Sequence, residues 1–254
     1  MINDWVFYAF AIPSVILLGL GKGGFSGLGL LSFPLMALVA PPIQAAAIIL
    51  PILMVQDLVG VWAFRREFDR ENLKLMAPGA LAGLVAGFIF AKSVSNGAIL
   101  FLVGLISVAF VIWQALGARR GASAPAKPAR GPASFWGLVC GFTSFIANAG
   151  GPPFQVYMLP QRLPPRLYAG TSTMFFTAVN YLKFPAFFQL GQMNAGNLLT
   201  SAVLFPLAIA SVSAGIWMVR RISAQRFYPL VLGLTLAVGL KLIWDGASQL
   251  LAQA

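Results

Sequence analysis

A few charged and amide side chains stand where such groups are hardest to keep, inside or between long apolar runs, and they set what chemistry the chain can do. Lys22 lies in the stretch Gly19–Pro34, GLGKGGFSGLGLLSFP, flanked by apolar runs. A lysine at membrane depth calls for a protein or substrate partner. Glycines let the backbone approach a ligand closely, and Ser26 is a good N-cap, so helix N–H groups and a positive dipole end could gather around the lysine charge. That combination suits an oxyanion. A second break, Asn148–Pro153 or NAGGPP, has prolines suited to the first turn of a helix. The expected anion site takes Gly21, Lys22, Gly23, Gly24 and Ser26 from the first break and Asn148, Gly150 and Gly151 from the second. Gln155, Thr171 and Ser172 add amide and hydroxyl groups, although Thr and Ser also bond back to their own helix.

Asp57 is the only carboxylate deep in an expected span of the first half. It either neutralises Lys22 or takes up and releases a proton coupled to transport. Asn180 is its counterpart in the second half, and Lys183, one turn on, either faces the site or snorkels outward. Lys241 and Asp245 stand four apart and are expected to satisfy each other away from the site. GKGG is not a phosphate-binding P-loop, because no strand precedes it and no Ser or Thr follows the lysine directly. With no histidine, a single cysteine (Cys140) and six carboxylates in 254 residues, the chain is expected to hold no metal or cofactor and not to be an enzyme. The net charge of +11 sits mainly in loops, which fits a positive-inside bias and not nucleic acid.

A chain that is 59% hydrophobic and 9% charged is an all-α polytopic membrane protein, with the lipid bilayer as its main partner. MINDWVFYAF has no positive n-region, so no removable signal peptide is expected. The first half reads as a broken-helix, re-entrant hairpin over 5–40 and helices over 43–64, 75–91 and 98–116. The glycines from Gly19 onward are expected to interrupt the helix. Gly79, Gly83 and Gly87 form a small-residue face for packing within the subunit or between subunits, and a homodimer is open to the chain. A basic cytoplasmic linker over 117–134 follows, then a hairpin over 135–160 and helices over 168–188, 198–219 and 227–251.

The second half thus repeats the first. Gly23-Gly24 aligns with Gly150-Gly151, Pro41-Pro42 with Pro164-Pro165, Asp57 with Asn180, Gly104 with Gly233 and Trp113 with Trp244. If each hairpin returns to the side it came from, most Lys and Arg fall on one face, with both termini on the other; that makes the repeats inverted. Two thin full crossings per hairpin would keep the same parity, so the hairpins' depth stays open.

The residues resemble the TauE/SafE family of membrane transporters, often described as sulfite exporters. The resemblance covers nearly the whole chain and rests on Gly21–Gly29 followed by Pro34-Leu35, on Asn148–Pro153 and on Gly170-Thr171-Ser172. It implies two related halves and the movement of small sulfur-containing anions, such as sulfite, thiosulfate or organosulfonates, across a bacterial inner membrane. The sequence departs from the commoner all-glycine run by placing Lys22 inside it, and its second break reads NAGGPP. The expectation is therefore a secondary transporter of a small anion working by alternating access, with uncoupled passage through a channel or facilitator, or another small organic anion as substrate, as the alternatives.

Overall fold

A computed structural model describes residues 2–23, 28–117, 127–218 and 227–252, which are helical with short connections and contain no strand. Gly24, Ser26 and the basic stretches 118–126 and 219–226 lie outside the described residues.

Helix α1 runs from Trp5 to Gly23, straight through Gly19, Gly21 and Lys22. This corrects the expected break at those glycines. A side chain at Gly19 would collide with Ser211, and one at Gly23 with the backbone of Gly215. Close packing offsets the local penalty of about 1 kcal/mol per interior glycine. The return limb is short: a 3-10 turn over Leu28–Leu31 leads into α2, Ser32–Ala37. Helix α3, Pro42–Phe64, is apolar on every side and is buried along Ala45–Leu53, as a central helix should be. Helices α4, Arg70–Ser93, and α5, Asn96–Gly117, complete the first half, with Asp69 capping α4 by accepting the Asn72 N–H at 3.0 Å.

Helix α6 begins at Arg130 and ends at Ala147, so the expected linker gives up its last residues to helix. Asn148 ends α6 in the left-handed region at φ 49°, with its N–H turned back on the Ser144 carbonyl and that of Ala149 on Thr143. The return limb is α7, Gly151–Met158, continued by a 3-10 turn over Leu159–Gln161. Helix α8, Pro165–Gln189, follows. The single span expected over 198–219 is two helices, α9, Ala195–Val203, and α10, Phe205–Met218, bent by 45°. Pro206 explains the break: it lacks the N–H that would bond the Ala202 carbonyl, and its ring crowds that carbonyl. Helix α11, Phe227–Leu251, closes the chain.

Four of the described helices, α1, α3, α4 and α5, are long and apolar enough to cross a bilayer, and the bent pair α9–α10 makes a fifth. The chain is a multi-pass membrane protein. Its strongest packing pairs are α4 with α6, α5 with α11, α1 with α10 and α3 with α8. If each element is exchanged for its counterpart in the other half, this set of pairs is unchanged. The Gly79, Gly83 and Gly87 face settles against Ser134, Leu138 and Phe145 of α6, so it packs within the subunit.

One end of the bundle joins the start of the chain to α3 and α9: Ile2 N–H donates to Thr200 Oγ1, and Gln44 Nε2 to Asn197 Oδ1, each at 3.0 Å. The opposite end joins the α3–α4 connection to the second hairpin and α8. There the amides of Asn72 and Gln161 exchange bonds of 2.9 and 3.2 Å, and Arg166 pairs with Glu67. The start of the chain and the start of α3 thus meet α9 at the first end, and Gln161, at the close of the second return limb, meets Asn72 at the other.

Candidate functional site

A cavity of about 680 Å³ runs from the centre of the bundle to the end that holds Glu67 and Arg166. At its depth, the end of α1 meets the middle of α3 and α8. Lys22 occupies the last turn of α1, where the helix dipole favours a cation. Its ammonium pairs with Asp57 Oδ1 and reaches the Leu53 carbonyl at 3.5 Å. The other carboxylate oxygen, Oδ2, accepts from Asn180 Nδ2 at 2.7 Å. Aspartate can only accept here, so this bond fixes which way the Asn180 amide points. Asp57 is 1% exposed and both its oxygens are engaged, whereas the Lys22 side chain keeps 20% of its surface open. The aligned residues of the two halves, Asp57 and Asn180, therefore touch.

The second hairpin contributes a neutral group held by a buried cation. Lys183 is 1% exposed and donates to the Ser144 carbonyl at 3.1 Å, Ser144 Oγ at 3.2 Å and Asn148 Oδ1 at 2.7 Å. It takes neither of the two placements expected for it: it does not snorkel outward, and it is buried behind Asn148, outside the cavity lining. Because a lysine cannot accept a hydrogen bond, Asn148 Oδ1 must face Lys183, and its Nδ2 faces the other way. That Nδ2 is buried and has no hydrogen-bond partner, although Asn148 lines the cavity. An unpaired buried amide donor costs about 1–3 kcal/mol.

The glycines of the two breaks have different surroundings. A Cβ at Gly21 would lie 2.7 Å from the Gly29 nitrogen, and one at Gly150 would lie 2.7 Å from the Phe176 ring, so both are places of close packing. At Gly151 a Cβ would meet nothing nearer than Gln155 Nε2 at 4.0 Å, and Gly151 lines the cavity. Gly151 leads α7, whose next two residues are prolines and whose Phe154 N–H is bonded to the Gly150 carbonyl. The helix end therefore offers fewer free N–H groups than the sequence suggests. On the first hairpin, the turn that holds Ser26 lies outside the described residues.

Of the expected residues, Gly21, Lys22, Gly23, Asp57, Asn148, Gly151, Gln155, Ser172 and Asn180 line this one cavity. Lys183 stands directly behind Asn148. Thr171 lies elsewhere: its hydroxyl accepts the Asp69 N–H at 2.8 Å and donates to the Leu167 carbonyl at 2.6 Å, which ties the start of α4 to α8. Gly150 is likewise set back, with its carbonyl accepting from Cys140 Sγ at 3.0 Å.

Other wall residues went unmarked in the sequence. Gln56 beside Asp57 is fully buried, makes a long 3.5 Å contact to Ser211 Oγ and leaves Oε1 unpartnered. Its one signal is an amide within an apolar run. Arg162 and Arg166 stand exposed at the mouth, where a loop reading takes them only as part of the charge bias. Lys241 and Asp245 form the expected pair at 2.6 Å, apart from the cavity.

The wall offers ammonium, carboxylate, amide and hydroxyl groups to a small polar molecule. A model of the family described as Sulfite exporter TauE/SafE matches residues 11–242. No curated protein and no solved structure matches the chain.

Proposed function

The chain belongs to the TauE/SafE family of membrane transporters, and from that premise we propose that it carries a small sulfur-containing anion through the cavity between its two hairpins. The observation that carries this reading is the convergence on one cavity of Lys22, held by Asp57, and Asn148, held by Lys183. Lys22 supplies charge, Asn148 Nδ2 a directed donor, and Gln155 and Ser172 further polar groups in the wall. The open space over Gly151 admits the anion's oxygens to the backbone.

The two halves act as inverted repeats. In support, the hairpins start from opposite ends of the bundle, and the helix pairing survives their exchange. The exposed Arg65, Arg66, Arg70, Lys74, Arg162 and Arg166 support reading one end as cytoplasmic in a bacterial inner membrane, with the termini on the periplasmic side. The cavity opens at that basic end, which is an inward-facing state. The mouth arginines gather anions from the cytoplasm. Rocking of one half against the other then exposes the site to the outside. Inside-negative potential favours export by about 2.3 kcal/mol per charge per 100 mV, so export needs no coupling ion; import would, and Asp57 is its proton carrier.

Counterflow in proteoliposomes tests the reading. Sulfite or an organosulfonate loaded on one side should accelerate uptake of the labelled anion from the other, and Lys22→Met should abolish this. Flux that does not saturate and shows no counterflow would replace the carrier by a channel. For Asp57→Asn, proton-coupled import predicts loss of the pH dependence of transport, and an unchanged profile would remove the coupling role.

A further inference from the structure

The helices that pack against the two hairpin helices correspond residue by residue. Residues 76–87, MAPGALAGLVAG, and 204–215, LFPLAIASVSAG, align without a gap, so that Pro78 stands on Pro206, Ala80 on Ala208 and Gly87 on Gly215. Their buried positions match as well: Met76 with Leu204, Ala80 with Ala208 and Leu84 with Val212. So does the close approach of the partner helix. A Cβ at Gly141 of α6 would lie 3.0 Å from the Leu84 nitrogen, and one at Gly19 of α1 would lie 2.7 Å from that of Val212. Yet α4 runs unbroken through Pro78, whereas α9–α10 bends by 45° before Pro206. One residue type, in one register and one packing, therefore holds two different backbone shapes.

A proline inside a helix removes one backbone bond, and its ring crowds the carbonyl one turn back, so bending there breaks no hydrogen bond that a straight helix would have kept. The two shapes go with the two ends of the bundle. Before Pro206, the arm α9 lies against the first half of α3: Ser201 Oγ donates to the Ile48 carbonyl at 2.8 Å, and Gln44 Nε2 to Asn197 Oδ1 at 3.0 Å. No residue of that contact lines the cavity. Before Pro78, the first turns of α4 continue straight, at the end where the cavity opens between α3, α7 and α8. The bent arm thus stands at the closed end and the straight arm at the open one.

We propose that Pro78 and Pro206 are paired hinges, and that the bend passes from one half to the other as the molecule changes the end at which it is open. When the present mouth closes, α4 bends at Pro78 and lays its first turns over the cavity, while α9–α10 straightens at Pro206 and frees the opposite end. This rests on the reading of the molecule as an alternating carrier. Exchange of the halves also gives the wall residues their counterparts. The spacing that sets Pro41 on Pro164 and Asp57 on Asn180 sets Ala46 on Ala169. Ala169 lines the cavity and Ala46 is 1% exposed, so a cysteine at each position reports which end is open.

Maleimide labelling of the purified full-length protein tests this, because the one native cysteine, Cys140, is 0% exposed and gives a low background. Ala169→Cys should react readily and Ala46→Cys slowly. Adding Pro206→Ala restores the N–H that faces the Ala202 carbonyl and favours a straight α9–α10. Ala46→Cys should then react about tenfold faster, and Ala169→Cys more slowly. Adding Pro78→Ala favours a straight α4, so Ala46→Cys should react about tenfold more slowly and Ala169→Cys no more slowly than before. Each substitution restores a helix bond, so a purely structural role would move the reporters alike in both. Shifts of the same sign, or none, overturn the paired hinges, and wild-type counterflow then leaves the carrier standing. If a cysteine at the packed position 46 upsets folding, Ala169→Cys decides alone: labelling that Pro206→Ala does not slow overturns the proposal. An Ala46→Cys that folds and reacts no faster than Cys140 in every variant, with sulfite present or absent, means that the opposite end does not open. Alternating access and this inference would then fall together.

Discussion

The two halves of the molecule share a frame and differ in chemistry. In the first, the hairpin helix α1 ends on a lysine, and the central helix α3 answers with a carboxylate. In the second, the hairpin helix α6 ends on a neutral asparagine, and the central helix α8 supplies the lysine behind it. The elements correspond pair by pair, and the aligned Asp57 and Asn180 meet where α3 crosses α8. The difference teaches that the scaffold is built from matched helix pairs, while the polar cluster is made by breaking the match. A carboxylate at both central positions would leave two like charges within hydrogen-bond distance, which is unfavourable. One carboxylate and one amide leave a bonded pair.

The largest effect should separate the two lysines. Lys22→Met leaves Asp57, 1% exposed, with only the Asn180 amide, and breaking a buried pair in this way typically costs about 3–5 kcal/mol. Lys183→Met strands only neutral acceptors, for a loss of about 1–3 kcal/mol. Unfolding of the two variants in detergent reads both values. Adding Asp57→Asn to Lys22→Met should recover most of the stability and none of the anion binding. Equal losses in the two single variants would mean that the halves are not chemically distinct.

The frame itself is tested by glycines. Gly23→Ala drives a methyl into Gly215 at the α1–α10 contact, and Gly83→Ala drives one into Leu138 at the corresponding α4–α6 contact. Both should lose about 1–3 kcal/mol, the usual range for overpacking. Gly131→Ala, with nothing within 4 Å of the added carbon, should lose nothing. A large loss at only one of the two interfaces would show that the matched helix pairs do not contribute alike.

The all-helical, multi-pass class was legible because long apolar runs and their interruptions obey local rules. The glycines of α1 misled because their penalty is local, while the contact with α10 that offsets it joins residues far apart in the chain. The bend before Phe205 was readable in Pro206, yet Pro13, Pro51, Pro78 and Pro185 sit inside continuous helices, so proline alone does not decide. At the site, Lys22 and Asp57 were conspicuous as charges in apolar surroundings, and alignment of the halves pointed to Asn180. Thr171 bonds the backbone of its own helix and of Asp69, which is the competing use of a hydroxyl. Gln56 gave little warning, because an amide beside a charged residue reads as part of the same polar spot until the helix shows which way each points.

The smallest predicted effect is the most specific to the site. Within the second hairpin, Gly150 and Gly151 are neighbours with opposite reasons for being glycine: a methyl at 150 would press on the Phe176 ring and Ser144, and one at 151 would stand in the cavity at van der Waals distance from Gln155. Gly151→Ala should therefore leave unfolding unchanged, since no packed atom has to move. It should weaken anion binding by about tenfold, or ~1.4 kcal/mol, because the methyl covers the backbone that the anion approaches. Gly150→Ala should do the reverse, lowering stability while leaving the affinity of the folded fraction near wild type. If Gly151→Ala binds as tightly as wild type, the anion does not approach the α7 end, and recognition shifts to Lys22 and the Asn148 amide; the second hairpin would then serve the site only through the residue that ends α6.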